Sequence, residues 1–304
     1  MGVGMNSITR WHDFLLRGEA RTNAHAKAQR AYRGLVAFAL NPLAVLGAGI
    51  VLLLILVAAL APILATHDPI AQDLQRTLLP PSGDHFFGTD QVGRDVYSRV
   101  IYGSRITLYI VFLVTVIVTP IGLLVGAVSG YVGGIVDAVL MRITDIFLSF
   151  PGLILALAFV AVLGPNLQNA IIAIALSSWP PIARLARAEA LTIRNSDYVA
   201  AVKLQGASWF RIVMGHVIPM CISSVVIRAT LNMAGIILTA AALGFLGLGA
   251  QQPQPEWGAM TSSGRGYLLN AWWLVTMPGL AIATVGLAFN LLGDGLRDVL
   301  DPKQ

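Results

Sequence analysis

The 304-residue chain has little charge and almost no cysteine. Charged residues make up 12% of it, against about 25% in an ordinary soluble domain, while 56% is hydrophobic. The single cysteine, Cys221, excludes an intrachain disulfide and any multi-cysteine metal site. The five histidines show no ligand-like spacing, so the sequence predicts no metal site. This composition is typical of a helical protein that crosses a bilayer several times.

Nucleotide-binding and catalytic motifs are missing as well. A phosphate-binding loop needs a lysine directly after a glycine. The chain has three lysines, and none of them follows a glycine. Serine, histidine and carboxylate residues show no hydrolytic motif spacing. We therefore predict that the chain is no enzyme, has no catalytic residue and binds no cofactor. The net charge of +5 is dispersed along the chain, which argues against nucleic acid as a partner.

Long apolar segments dominate the rest of the chain. A membrane span needs about 20 apolar residues, and six segments come near that length. They lie at approximately 43–65, 106–129, 143–163, 168–186, 218–246 and 272–295. The fourth is the weakest, because Pro180, Pro181 and Arg184 interrupt it. The first begins too late and runs too long for a cleavable signal peptide. The fold class predicted is an all-α integral membrane protein with six transmembrane helices.

The distribution of basic residues predicts the orientation. With both termini in the cytoplasm, 14 of the 20 Lys and Arg residues fall inside and 5 outside. This places a cytoplasmic tail at 1–42, the first transmembrane helix at 43–65 and an extracytoplasmic loop at 66–105. The transmembrane core then covers 106–296, and a short cytoplasmic tail covers 297–304. Apolar residues at helical spacing near Trp11 suggest an interfacial helix within the first tail, with a loosely ordered tail as the alternative.

Two features lie inside the predicted spans. Arg228 falls about 15 Å deep in the fifth span, where an ionisable residue usually faces the bundle interior or a water-filled cavity. Two hypotheses for Arg228 stay open. In one it lines a translocation pathway together with Asn232, and in the other it pairs with a group of a partner subunit. Gly122, Gly126 and Gly130 form a small-residue ladder in the second span, which predicts close helix packing.

A polar stretch, from Asp197 to Pro219, interrupts the apolar pattern on the cytoplasmic side. Ser196 or Asp197 can cap a short helix, because a side-chain oxygen there accepts from the free amides of the first turn. Gly206 is expected to end that helix. A second helical run follows from Trp209, and we expect Pro219 to stop it. A rigid pair of short helices of this kind suits either a surface loop or a docking element.

This stretch resembles the EAA loop of bacterial ABC importer permeases. The matching pattern is Ala200-Ala201, then Gly206, then His216 and Pro219, within a loop at 195–219. Ala200 stands where the general motif has Glu, as in the dipeptide and oligopeptide branch. Further blocks at 87–108, 242–260 and 278–302 are similar to the signatures of that branch. The chain therefore resembles the C-type permease subunit of dipeptide, oligopeptide or nickel ABC importers.

The resemblance implies a function and a set of partners. It implies half of a translocation pathway for dipeptides, oligopeptides or related solutes such as nickel chelates, glutathione or opines, in a bacterial inner membrane. The partners implied are a second permease subunit, two ATPases that hold the ATP and magnesium, and an extracytoplasmic solute-binding protein. The residues to which it assigns ATPase coupling are Asp197, Tyr198, Ala200, Ala201, Gly206, Ala207, His216 and Pro219.

Two other classes of membrane protein fit the sequence less well. An ion-coupled secondary transporter would commonly show internal repeats and midplane ion sites, and no repeat is visible. A membrane-embedded enzyme would need paired polar residues at matched depth, which Asn232 and the Ser177–Ser178 pair do not supply.

Overall fold

The computed structural model describes residues 23–300, and almost all of these residues are helical. Within this range the only β-type pairing is a single bridge between Thr89 and Asp95. The α-helices, in chain order, are α1 Asn23–Leu40, α2 Pro42–Ala59, α3 Ala61–Leu64, α4 Val96–Val132, α5 Gly134–Leu148, α6 Gly152–Leu163, α7 Leu167–Ser178, α8 Pro180–Arg194, α9 Asp197–Leu204, α10 Trp209–Ile212, α11 Ile218–Phe245, α12 Trp257–Gly264 and α13 Trp273–Leu300. Short 3₁₀ turns lie at Leu74–Arg76 and Arg265–Tyr267, and a π-helical turn lies at Val213–Val217.

Four helical stretches of the described chain are long and apolar enough to cross a membrane. They are Pro42–Ala59, Val96–Val132, Trp209–Phe245 and Trp273–Asp298. The predicted third span, 143–163, is divided between α5 and α6, which meet at 90° and can form a fifth span together. The predicted fourth span, 168–186, is divided at Trp179 into α7 and α8. The all-α membrane fold is confirmed, and Pro151 and the Pro180–Pro181 pair account for the two breaks.

The glycine ladder sets the closest packing of the bundle. Gly122, Gly126 and Gly130 all lie against α8. A Cβ on Gly126 would stand only 2.3 Å from the carbonyl oxygen of Ala183 and 2.6 Å from the Cβ of Ala186. The absence of a side chain therefore lets the two backbones approach each other, as the small-residue spacing predicts. Helix α8 directly precedes the polar stretch, so this packing connects that stretch to α4.

The first and last long helices also pack closely. A Cβ on Gly47 of α2 would stand 2.6 Å from the backbone nitrogen of Leu292, and one on Gly295 of α13 would stand 2.1 Å from the Cβ of Ala44. Asn41 caps α2 by accepting from two amides, and its side-chain nitrogen donates to Asp298 over 2.8 Å. Helix α1 directly precedes Asn41, whereas the sequence predicted a cytoplasmic tail at 1–42. The predicted interfacial helix near Trp11 lies outside the described residues.

The two ends of the bundle are defined by α4. Its 37 residues make it about 55 Å long at 1.5 Å per residue. It begins directly after the segment 65–95. We call the end of the bundle that contains this segment and the loop before α12 the loop end. Helix α4 finishes beside α9, and Val128 and Val132 line the same cavity as Val199 and Ala200. We call that side the coupling end.

The loop end is tied together by buried polar contacts. Arg99, only 1% exposed, donates to the carbonyl oxygens of Pro69 (2.7 Å) and Pro253 (3.3 Å). Arg94 pairs with Asp90 at 2.7 Å and also donates to the side chain of Gln252. The segment before α4 and the loop before α12 are therefore joined into one structure, although they lie far apart in the sequence.

Candidate coupling helix and translocation face

Helix α9 is the central element of the polar stretch. Ser196 is its N-cap and accepts from the amide of Val199. Asp197 lies in the first turn, where a negative charge stabilises a helix. The chain leaves the helix after Leu204, and Gly206 has φ +80°, a left-handed conformation that glycine adopts without steric cost. The predicted cap and the predicted turn glycine are both where the sequence indicated.

The second half of the stretch differs from the prediction. Ser208 caps α10, and the chain then continues through the π-helical turn into α11 without a break. Pro219 therefore lies in the first turn of α11 and does not stop the helix. A proline has no N–H and its ring conflicts with the carbonyl four residues earlier, here that of Gly215. The wider π turn, in which the Ile218 amide bonds to Val213, accommodates Pro219.

Two buried side chains and one side-chain hydrogen bond hold α9 and α10 to the bundle. Val199 is 2% exposed and Ile212 is 1% exposed, so each anchors one of the short helices. The Tyr198 hydroxyl lies 2.6 Å from Nδ1 of His216 and links α9 to the π turn. This contact joins two residues that the resemblance had assigned to coupling without a stated interaction between them.

The opposite side of the two short helices is exposed and apolar. Leu204 is 89% exposed, Phe210 60% and Trp209 57%. Ala200 and Ala201 are also exposed, and Ala207 is half-buried. We call this set, with Tyr198, the α9–α10 knob. Several large apolar side chains exposed on adjacent short helices are typical of a surface that contacts protein or membrane.

Ion pairs behind the knob connect α8 to α5. Arg187 binds both carboxylate oxygens of Asp137 at 2.6 Å, and the hydroxyl of Ser129 on α4 donates to the same carboxylate. Arg184 pairs with Asp145 at 2.6 Å. The sequence did not indicate these pairs, because the partners are about 40 to 50 positions apart. A bidentate Arg–carboxylate contact adds geometric specificity as well as energy, so it orients α5 relative to α8.

Arg228 lies on an exposed polar stripe of α11. Its side chain has no hydrogen bond or ion pair with any other residue in the range 23–300. Asn232 lies four residues on, and Ser224 four residues back, so all three share one helix face. Gly235 and Thr239 continue this stripe, which is polar or small along an otherwise apolar helix. The structure thus places Arg228, which is exposed, and Asn232, which is half-buried, on one face of α11.

These features define an all-α, multi-pass membrane protein with an exposed apolar knob at one end and an uncovered polar helix face. Residues 119–304 match the family described as "Binding-protein-dependent transport system inner membrane component". Residues 30–81 match the N-terminal transmembrane domain of oligopeptide transport permease C. The chain belongs to the family of binding-protein-dependent transport system inner membrane components. It is therefore a non-catalytic permease subunit of an ABC importer, and the secondary transporter and the embedded enzyme are excluded.

Individual relatives are similar over most of the chain. The probable D,D-dipeptide transport system permease protein DdpC of Escherichia coli (strain K12) is 49% identical over 263 residues, covering 86% of this chain and 88% of the relative. The dipeptide transport system permease protein DppC of the same strain is 47% identical, covering 88% and 91%. The inward-facing MetNI methionine ABC transporter matches with a TM-score of 0.56 at 22% identity, covering 66% of this chain and 96% of that chain. This last likeness confirms the importer permease fold.

Proposed function

We propose that this permease subunit forms half of a translocation pathway for small peptides. The observation that carries the proposal is the exposed polar stripe around Arg228, on a chain whose relatives include dipeptide permeases. A peptide at neutral pH ends in a carboxylate, and a guanidinium binds a carboxylate bidentately. In this proposal Arg228 meets that carboxylate inside the pathway, and Asn232 hydrogen-bonds to the peptide backbone.

A second permease subunit is proposed to cover the stripe. An arginine exposed at the middle of an apolar helix is costly in lipid unless protein or water surrounds it. Pairing with another permease would enclose the stripe and leave a polar channel between the two chains. The further partners in the proposal are two ATPases, which bind ATP and magnesium, and an extracytoplasmic solute-binding protein.

The α9–α10 knob is proposed to dock on a partner ATPase. It is a small apolar projection at the coupling end, anchored by Val199 and Ile212. In this proposal the coupling end and both termini lie on the cytoplasmic side of a bacterial inner membrane, an orientation that the charge bias of the sequence supports. Movement of the ATPases would then rock the helices as rigid bodies through α8 and the Arg187–Asp137 pair.

The substrate is tested with the assembled transporter in proteoliposomes. ATP-dependent uptake of a labelled dipeptide is compared with uptake of the same dipeptide as its C-terminal amide. The unmodified complex is expected to prefer the free carboxylate. Because a hydrogen bond to a charged group contributes about 1.5–3 kcal/mol, Arg228→Gln should reduce that preference by roughly 10- to 100-fold. Equal preference in the Arg228→Gln and unmodified complexes would reject the assignment of Arg228, and absence of peptide uptake would reject the substrate class.

The docking surface is tested in the same complex. Trp209→Ala should reduce ATPase binding and ATP-driven uptake while leaving membrane insertion unchanged. Trp272→Ala is the matched control, since Trp272 is an exposed tryptophan outside the knob. Full uptake by the Trp209→Ala complex would contradict the proposed docking role.

A further inference from the structure

Three potential metal ligands meet at the loop end of the molecule. Nδ1 of His85 lies 2.8 Å from Oδ1 of Asp95, and Nδ1 of His67 lies 3.9 Å from the same oxygen. The two imidazole rings lie side by side, with centroids 4.6 Å apart. One potential ligand atom from each residue lies within 4.8 Å of the other two. The residues are 18 and 10 positions apart, which is why the sequence showed no ligand spacing.

We propose that His67, His85 and Asp95 form a binding site for a divalent first-row transition-metal ion such as Zn²⁺. A tetrahedral ion with bonds of about 2.0–2.1 Å places its ligand atoms about 3.3 Å apart. The two distances to Asp95 Oδ1, 2.8 and 3.9 Å, lie on either side of that value. Two imidazoles and one carboxylate suit zinc, nickel or iron(II), whereas magnesium and calcium prefer oxygen ligands alone.

The candidate ligands are held in place by neighbouring contacts. The side chain of Asp95 is 1% exposed, and its second oxygen accepts from the amide of Ser98 at the start of α4. The backbone amide of His67 donates to the hydroxyl of Ser98 over 3.0 Å. The side chain of His85 is 6% exposed. Contacts of this kind, outside the ligand set itself, orient ligands for metal binding and reduce the ordering that binding requires.

The hydrogen bonds of His85 are incomplete within the described structure. Its Nδ1 donates to Asp95, but its Nε2 is buried and has no hydrogen-bond partner. The carboxylate therefore satisfies only the Nδ1 side of this ring. If His85 is neutral, an ion bound to Nδ1 leaves the ring proton on Nε2. If His85 is protonated on both nitrogens, binding of the ion to Nδ1 releases one proton to solvent.

One neighbouring hydroxyl also contacts the cluster. Oγ1 of Thr66 lies 3.0 Å from Nδ1 of His67 and 3.5 Å from Oδ2 of Asp95. Its hydrogen can therefore turn towards Asp95 when an ion occupies the His67 nitrogen. The side chain of His67 is 40% exposed, so water and a metal ion can reach the cluster from that side.

A bound ion would cross-link three separate parts of the loop end. It would connect the chain just after α3, the segment near residue 85 and the first residue before α4. A cross-link of this kind closes a loop and stabilises the folded arrangement by restricting the unfolded chain. The site lies at the opposite end of α4 from the knob, so its occupancy is a separate property from ATPase docking.

The test is a metal titration of the full-length chain in lipid nanodiscs, purified with a tag that contains no histidine. After chelator treatment, Zn²⁺ binding is measured by competition with a fluorescent chelator, and Co²⁺ binding by its visible absorption. We expect one ion per chain, a tetrahedral cobalt spectrum, and no competition from a large excess of Mg²⁺. A chain without this stoichiometric binding would overturn the proposal.

Variants distinguish Zn²⁺ binding at this site from nonspecific binding elsewhere on the chain. His67→Gln changes a partly exposed residue and should weaken Zn²⁺ binding at least tenfold, since even residues outside the ligand set change metal affinity 10- to 100-fold. Zn²⁺ should raise the melting temperature of the unmodified chain and not that of His67→Gln. His67→Cys should restore binding, because a thiolate is also a zinc ligand. Asp68→Asn is the control for local charge and should bind normally. Unchanged binding in His67→Gln would reject the site.

Discussion

At the scale of single residues, the hydrogen bond between Tyr198 and His216 is the most specific contact of the coupling end. It joins α9 to the π turn, and both side chains lie at the protein surface. A bond in this position contributes little to global stability, about 0.5–1.5 kcal/mol. In the proposed docking mechanism, this bond would transmit a displacement of the knob to α11, which carries Arg228.

Tyr198→Phe is expected to impair coupling more than folding. The substitution removes the hydroxyl and keeps the ring, so insertion and melting temperature should change little. The ratio of peptide transported to ATP hydrolysed should fall in the reconstituted complex, because α9 and α11 are then less firmly connected. Tyr109→Phe, an exposed tyrosine on α4, serves as the control. An unchanged ratio in Tyr198→Phe would show that the link is dispensable.

Glu256 makes the loop end sensitive to pH. Burial raises the pKa of Glu256 to about 7, partly offset by hydrogen bonds from the amides of Gly258 and Ala259. The folded chain therefore holds a proton that the unfolded chain loses at lower pH. Stability contributed by this group is highest below the ordinary carboxyl pKa and falls as the pH rises through about 7.

The corresponding prediction is a change in the pH profile of unfolding. The melting temperature of the unmodified chain should decline between pH 5 and pH 8, and Glu256→Gln should flatten that decline. The amide retains an oxygen that can cap α12, so the variant should still fold. Melting curves across this pH range provide the measurement, and parallel curves for the two chains would contradict the assignment.

At the scale of elements, the contact between α4 and α8 determines how the coupling end joins the membrane helices. The ladder glycines let α8 lie directly on α4, so the two helices form one closely packed unit. The pair of Arg187 with Asp137 adds α5 to the same unit. The periodicity of small residues predicted this contact, whereas the ion pair depends on the tertiary fold.

Two glycine substitutions should have opposite effects. Gly126→Ala places a methyl group 2.3 Å from a backbone oxygen and should destabilise the chain by about 1–3 kcal/mol. Gly49→Ala lies in α2 with nothing within 4 Å, so it should be neutral or stabilise by up to about 1 kcal/mol. Melting temperatures of the two variants in one detergent give the comparison. Equal destabilisation would mean that the ladder is not a close-packing site.

At the scale of the whole molecule, buried polar contacts unite the loop end. Arg99 reaches both the segment before α4 and the loop before α12, through the carbonyl oxygens of Pro69 and Pro253. The indole nitrogen of Trp257 donates to Val100, and that of Trp273 donates to Thr89. Distant parts of the sequence therefore form one surface, on which the proposed metal site also lies.

Arg99→Leu is expected to loosen that surface. The buried carbonyl oxygen of Pro69 loses a donor, at a cost of about 1–3 kcal/mol, and the more accessible one of Pro253 loses a weaker contact. Proteolysis of the loops 66–95 and 247–271 should accelerate in the variant. Arg105→Leu, an exposed arginine on the same helix, should leave the rate unchanged. Resistance of Arg99→Leu to protease would show that the two loops hold together without it.

Much of the fold was predictable because its signals are local. The apolar runs predict the long helices, and the oxygen of Ser196 and the missing side chain of Gly206 predict the limits of α9. The breaks at Ser149–Pro151 and at Trp179 were less predictable, since a proline in an apolar helix can kink it, end it or be accommodated. Pro219 illustrates this: the same residue type that accompanies a break near α8 lies in a continuous helix at α11.

The sequence by itself determined the class of protein, the long helices, the family and the position of the polar stretch, because each depends on residue type and spacing along the chain. The tertiary structure decided which residues meet. Arg187 pairs with Asp137, Tyr198 contacts His216, and His67 and His85 both lie next to Asp95. Such contacts depend on how helices and loops pack in three dimensions, and no periodicity along the chain encodes them.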